Sequence, residues 1–111
     1  MPEDVATKVF YNDFVVAEDA QNAASKLKSM AQGAWTTPPT SGYAAFKHVP
    51  STYIKCLLDQ AMPAVWQELF INQEGAMFDI VEQLDAGHSP FLSMPRETAE
   101  IIVRSIEKSC L

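Results

Sequence analysis

The second half of the chain alternates two apolar runs of strand type with two segments of helical spacing. Residues 52–58 and 77–84 are rich in β-branched, aromatic and aliphatic side chains, which is typical of strands. Pro63 and Pro95 stand where a helix would begin after each run. The pattern predicts strand–helix–strand–helix, with the second and more polar strand nearer a sheet edge.

Each of these two helices should bury an apolar stripe. The first is expected to end at Gly75 and to bury one face made of Val65, Trp66, Leu69 and Phe70. The second is expected to be capped by Ser93 and to bury residues at i, i+3, i+4 and i+7, namely Ala99, Ile102, Val103 and Ile106.

The first half predicts two helices and a loop. One helix begins at Pro2 and ends at the Tyr11-Asn12-Asp13 segment, and a second begins near Ala17. The second helix has a stripe built mostly of alanine: Ala20, Ala23, Ala24, Leu27 and Met30. Residues 32–41 are rich in Gly, Thr, Pro and Ser, which indicates a loop. Aromatic side chains in and after that loop either pack it onto the core or line a pocket: Trp35, Tyr43 and Phe46.

A strand–helix–strand unit implies two parallel strands joined by a crossover, and such strands are usually neighbours. Functional residues of parallel sheets gather in the loops at the carboxyl ends of the strands. Asp59 follows the first predicted strand, and His88 follows the second. The topology therefore predicts that these two side chains lie together at one edge of the sheet.

Composition restricts the class of partner. The 111 residues have a net charge of −6, a hydrophobic content of 48% and no basic cluster, which argues against binding to nucleic acid. No apolar run approaches the roughly 18 residues that span a bilayer. We expect a cytoplasmic globular chain without a membrane segment. The final Ser109-Cys110-Leu111 only weakly matches the Ser-Lys-Leu peroxisomal signal, which leaves a peroxisomal location as an alternative.

Neither cysteine indicates a disulfide framework or a metal site. Cys56 lies in an apolar run and is expected to be a small buried core residue, whereas Cys110 is next to the C-terminus. Too few Cys and His residues are grouped to bind zinc. We therefore predict no cofactor and no metal.

An aspartate that is hydrogen-bonded to one imidazole nitrogen fixes the tautomer and stabilises the imidazolium. The other nitrogen can then act as a general base toward a nucleophile. The alternative for Asp59 and His88 is structural: the aspartate caps the helix at Pro63, and the histidine bonds a loop carbonyl.

The residues around the pair carry a family resemblance that extends from about Pro2 to Ile106. The segments are Val49-Pro50-Ser51-Thr52-Tyr53-Ile54, Asp59-Gln60-Ala61-Met62-Pro63 and Gly87-His88-Ser89-Pro90-Phe91-Leu92-Ser93-Met94-Pro95. The chain resembles the C-terminal part of an α/β-hydrolase. The most similar branch is that of small-ester hydrolases related to plant methyl esterases and hydroxynitrile lyases, which has many fungal members.

The resemblance implies a C-terminal fragment of a doubly wound α/β fold. Residues 1–46 would be a remnant of a helical cap with a loop, and residues 47–111 the final β-α-β-α of the hydrolase domain. Asp59 would be the acid of the catalytic triad and His88 its base. Fungal relatives imply a role in the biosynthesis of secondary metabolites such as toxins or polyketides.

The serine of that triad has no counterpart in the chain. The family carries it on a Gly-x-Ser-x-Gly turn, and no such pentapeptide occurs here. We expect an isolated chain to be almost inactive as a hydrolase and to self-associate through open sheet edges. An N-terminal half that supplied the serine would allow it to act on a small ester or another metabolite. The alternatives are a truncated, non-catalytic remnant, an accessory binding protein, or lyase chemistry on the same triad.

Overall fold

The computed structural model describes residues 1–40, 42 and 44–109. Two strands form a parallel sheet, and helices precede, connect and follow them. The helices are α1 (Glu3–Phe10), α2 (Ala17–Ser25), α3 (Gln32–Thr36), α4 (Ala64–Ile71), α5 (Pro90–Ser93) and α6 (Pro95–Ser109), and the strands are β1 (Ser51–Cys56) and β2 (Phe78–Leu84). A short 3₁₀ helix, Ala45–Lys47, leads into β1. Tyr43, Cys110 and Leu111 lie outside the described residues, so one predicted loop aromatic, one cysteine and the C-terminal tripeptide receive no structural test.

The predicted strand–helix–strand–helix order and the parallel pairing of the strands are both confirmed. Tyr53 of β1 is aligned with Val81 of β2, and Cys56 with Leu84. A register irregularity between Ser51 and Thr52 is the only departure from regular pairing in this described sheet. Because both strands run in the same direction, their carboxyl ends meet at one edge.

The sheet has packed side chains on both faces. Ile54 contacts a small buried cluster on one face, which includes Leu84, Ala86 and Ile101 of α6. Tyr53 points to the opposite face, because side chains alternate along a strand. There it joins a cluster of aromatic rings with centroids 5.0 to 6.0 Å apart, made of Phe46, Tyr53, Phe70 and Phe78. Phe46 therefore packs against the sheet, as the first of its two interpretations predicts.

Helices α1 and α2 form a separate small pair. Its buried residues are Ala6, Tyr11, Ala20 and Ala24. Helix α2 ends at Ser25, so the predicted stripe was too long, and Leu27 and Met30 are exposed beyond the helix. Alanine side chains bury little area, so this pair gains only a small hydrophobic stabilisation of its own.

The free edge of β1 is closed at its last residue by a side chain. Gln67 of α4 is 2% exposed and binds Cys56 twice. Its Oε1 accepts a hydrogen bond from the Cys56 N–H at 2.9 Å, and its Nε2 donates to the Cys56 carbonyl at 2.8 Å. The same Nε2 donates to the carbonyl of Met62 at 2.7 Å. The amide therefore occupies the backbone groups that a neighbouring strand would otherwise bind.

Several predicted helix faces and boundaries were wrong. Helix α4 buries Gln67. Phe70 of the predicted stripe packs in the aromatic cluster, but Val65, Trp66 and Leu69 are each at least 60% exposed. Helix α4 also ends at Ile71, before Gly75. The described residues include only two strands, so the sheet is too narrow to cover the predicted stripe.

Helix α6 is rotated relative to the prediction. It buries Thr98 and Ile101 instead of its predicted stripe, which is exposed: Ala99, Ile102, Val103 and Ile106. Ser93 lies in α5 and does not cap α6. The face turned to the sheet is set by contact with Leu84 and Ala86.

The segment predicted as a loop contains α3, and Trp35 within it is 77% exposed. Trp35 therefore does not pack this segment onto the core.

No helix in residues 1–40, 42 and 44–109 has the length and apolar content to cross a membrane.

Candidate active site

Two loops leave the carboxyl edge of the sheet and run side by side. Leu57 N donates a hydrogen bond to the carbonyl of Leu84 at 2.9 Å, and Leu58 N donates to that of Ala86 at 3.0 Å. These bonds continue the pairing beyond the last strand residues. As a result, Asp59 and His88 lie next to each other, although they are 29 residues apart in the chain.

The aspartate and the histidine form a direct hydrogen bond. His88 Nδ1 lies 2.9 Å from Asp59 Oδ2. The Asp59 residue is only 6% exposed, whereas the side chain of His88 is 42% exposed. A carboxylate only accepts hydrogen bonds, so Nδ1 carries the proton, and Nε2 is the nitrogen left to accept another.

The second oxygen of Asp59 is held by the backbone. Oδ1 accepts hydrogen bonds from Ala61 N at 2.8 Å and from Met62 N at 2.9 Å. These donors stabilise the charged carboxylate in a buried position and fix its orientation. Asp59 does not cap α4 itself, which has Pro63 at its N-cap and no side-chain cap; its Oδ1 instead binds the turn that leads into α4. Similarly, His88 bonds Asp59 and not a loop carbonyl.

The turn between α1 and α2 contacts both loops. Asn12 Nδ2 donates to the carbonyl of Leu58 at 2.8 Å. Asp13 Oδ2 accepts from Ser93 Oγ at 2.5 Å. The Phe10 ring lies with its centroid 5.2 Å from that of His88. Neither Asn12 nor Asp13 was predicted from the sequence as a site residue, and their partners lie 46 and 80 residues away. No local spacing pattern could have found them.

Cys56 is next to the site but has the character of an unreactive thiol. Burial, with smaller contributions from the charges of Asp59 and Asp13, raises its pKa from 9.0 to about 11. A thiol is nucleophilic only as the thiolate, so at neutral pH this residue behaves as a small core side chain. In the described part of the chain, no group of three or more His, Cys, Asp or Glu side chains could hold a metal ion.

Together the fold and the pair define a class: an α/β protein with an aspartate–histidine hydrogen bond at the carboxyl edge of parallel strands. Residues 2–101 match the model of the alpha/beta hydrolase family. The chain belongs to that family, as the sequence resemblance predicts.

A curated relative agrees with this assignment. The chain is 38% identical over 74 residues to alpha/beta hydrolase nvfD of Aspergillus novofumigatus (strain IBT 16806). The aligned segment covers 67% of this chain and 27% of that relative, so the chain matches about a quarter of the relative's length. No solved structure gives a significant match.

Proposed function

We propose that this chain supplies the acid–base half of an ester-hydrolysing triad, in which Asp59 orients His88. The observation that carries the proposal is the 2.9 Å bond between the two side chains at adjacent strand ends. Membership of the alpha/beta hydrolase family supports it. The serine would come from outside these residues, since no Gly-x-Ser-x-Gly segment occurs in the chain.

The geometry allows a balanced first step. Nε2 of His88 takes the proton of the serine hydroxyl while the serine oxygen bonds the ester carbonyl carbon. The resulting imidazolium is stabilised by the Asp59 carboxylate through Nδ1–H. When the carbon–alkoxy bond breaks, Nε2–H returns the proton to the leaving alcohol. Water repeats the sequence on the acyl-serine and yields the acid.

The test is co-expression with the N-terminal part of a family member that carries Gly-x-Ser-x-Gly, with p-nitrophenyl acetate as substrate. We expect a rate above that of either part alone. His88→Ala should lower kcat by about 10⁶-fold, as loss of the base does in subtilisin. Asp59→Asn should lower it by roughly 10⁴-fold, because the imidazole loses its orienting acceptor.

His48→Ala is the matched control for this assay. His48 is the other histidine of the chain, it is exposed, and it lies before β1. The complex carrying this substitution should retain the full rate. An absence of any gain on mixing, with both parts folded and bound, would count against the proposal.

The substrate class follows from the resemblance and not from the geometry. We propose a small ester or related metabolite of a fungal secondary-metabolite pathway, since the family branch that the chain resembles has many fungal members and the curated relative comes from an Aspergillus species. Profiling the reconstituted complex on esters of increasing acyl size would test this. Activity confined to cyanohydrins would favour the lyase alternative.

A second candidate is a binding role on the side of the sheet that α6 covers only in part. An apolar groove lies between β1 and α6, lined by Thr52, Ile54, Ile101, Ile102, Ser105 and Ile106. Helix α6 also leaves Ile102, Val103 and Ile106 at least half exposed. Large exposed apolar patches are typical of interaction sites. We propose self-association of the isolated chain through this side, and a strictly monomeric mass by light scattering at high concentration would exclude it.

A further inference from the structure

The aspartate and the histidine lie on two separate loops, so something must hold the loops at a fixed distance. The strands end at Cys56 and Leu84, and both site residues follow outside the regular sheet. His88 is 42% exposed, so burial alone does not fix its ring. A hydrogen bond weakens steeply when its donor–hydrogen–acceptor angle falls below about 120°, so the two side chains must keep their relative orientation.

Asn12 binds the loop that carries the aspartate. Its Nδ2 donates to the carbonyl of Leu58, the residue immediately before Asp59, at 2.8 Å. The N–H of Leu58 is already used in the bond to Ala86. Leu58 is therefore fixed on two sides, by the neighbouring loop and by Asn12.

Asp13 binds α5, the short helix that directly follows the histidine loop, and packs against that loop at Gly87. Its Oδ2 accepts from Ser93 Oγ, a charge-assisted contact of 2.5 Å. Gly87, directly before His88, is packed against the same turn. A Cβ atom at Gly87 would lie 2.5 Å from Asn12 Oδ1 and 2.5 Å from Asp13 Oδ1, so only glycine allows this approach.

We propose that Asn12 and Asp13 are positioning residues that hold the Asp59 and His88 loops at the separation their hydrogen bond requires. The two residues are adjacent in the chain. Asn12 binds the Asp59 loop, and Asp13 binds α5 and packs against Gly87 of the His88 loop. Their side-chain hydrogen bonds go to Leu58 and Ser93 and not to the His88 ring. This inference rests on the proposed role of the pair, but it can be tested without any catalytic activity. The readout is the hydrogen-bonded state of the His88 ring itself.

The experiment is ¹⁵N NMR of the ring nitrogens in the full chain. In the wild type we expect His88 to carry its proton on Nδ1, with a downfield Nδ1–H resonance that disappears in Asp59→Asn. Asn12→Ala and Asp13→Ala should each lose that resonance and move toward a tautomer mixture. Asp13→Asn should retain it, because its amide oxygen can still accept from Ser93.

Two controls separate positioning from general damage to the fold. Asn22→Ala removes an exposed asparagine from α2 and should leave the His88 signals unchanged. The His48 signals should be constant in every variant. If circular dichroism shows that Asn12→Ala is unfolded, Asn12→Ser is used in its place. Asn12→Ser should weaken the Nδ1–H resonance of His88.

The outcomes distinguish the two proposals. Folded Asn12 and Asp13 variants that retain the wild-type Nδ1–H resonance would overturn the positioning role and leave the pair intact. A wild-type spectrum without that resonance would overturn the pair, and the proposed function would fail with it. Loss of the resonance in Asp13→Asn as well as in Asp13→Ala would contradict the role assigned to the bond with Ser93.

Discussion

Gln67 offers the sharpest test of how the small sheet is stabilised. Its side chain satisfies three backbone groups: the N–H and the carbonyl of Cys56, and the carbonyl of Met62. Gln67→Met keeps the length of the side chain but removes its donor and acceptor. Each buried backbone group left without a partner costs about 1–3 kcal/mol. The Met62 carbonyl is only partly buried, so the full cost applies to the two Cys56 groups. We expect a loss of about 2–6 kcal/mol, a large part of the ~5–15 kcal/mol that stabilises a typical domain.

The assay is urea unfolding followed by far-UV circular dichroism. Gln73→Met is the matched control, because Gln73 lies just after α4 and makes one local bond to the Phe70 carbonyl at 2.8 Å. That variant should lose no more than about 1 kcal/mol. Gln67→Met should show a far lower midpoint at an unchanged slope, or be unfolded without urea.

Equal midpoints for the two variants would refute this reasoning. In that case the Cys56 backbone would have to find other partners, such as water reaching the open edge. A lower slope for Gln67→Met alone would indicate a less compact native state and not the loss of three hydrogen bonds.

Three further predictions address the loop contact, the thiol and the apolar surface. Gly87→Ala should lose about 1–3 kcal/mol in urea unfolding, because its Cβ would meet two side-chain oxygens at 2.5 Å. Gly33→Ala, whose Cβ meets nothing closer than 3.8 Å, should lose nothing, and equal effects would contradict the contact. The raised pKa of Cys56 means that the folded state favours the neutral thiol, so the free energy of unfolding should fall as the pH rises from 9.0 toward 11. In urea unfolding measured across this pH range, Cys56→Ala should show a smaller decrease. Ile102→Glu should reduce self-association in sedimentation experiments without loss of helix content, since Ile102 is 50% exposed, and unchanged association would place the contact elsewhere.

The sequence predicted the order of elements in the second half and the neighbourhood of Asp59 and His88. Both follow from local rules, because strand-type runs and prolines are visible in short windows and parallel strands bring their carboxyl ends together. The predicted burial of the α6 stripe was wrong, and that of the α4 stripe was wrong for all of its residues except Phe70. Periodicity shows that a helix has an apolar face, but what covers that face depends on the other elements present.

The structural roles of polar residues were harder to predict from the sequence. Gln67 stands between Trp66 and Glu68 and carries no local signal that it is buried. Its role depends on the backbone of β1, which the helix meets only after folding. Asn12 and Asp13 could be assigned to the end of α1, but their partners are defined by tertiary contacts alone.

The glutamine amide at Cys56 also determines where any added strand must stop. Every second residue of β1 directs its backbone groups away from β2, namely Thr52, Ile54 and Cys56. A further strand would pair with β1 at Thr52 and Ile54 but not at Cys56, whose N–H and carbonyl are bound by Gln67. Ile54 and Cys56 are two residues apart, which is ~7 Å along a strand. The added strand would therefore separate from β1 about 7 Å before β1 ends. A crevice would then open beside Asp59, with its depth set by one side chain of a crossing helix. The site could thus remain accessible to a small molecule even in a wider sheet.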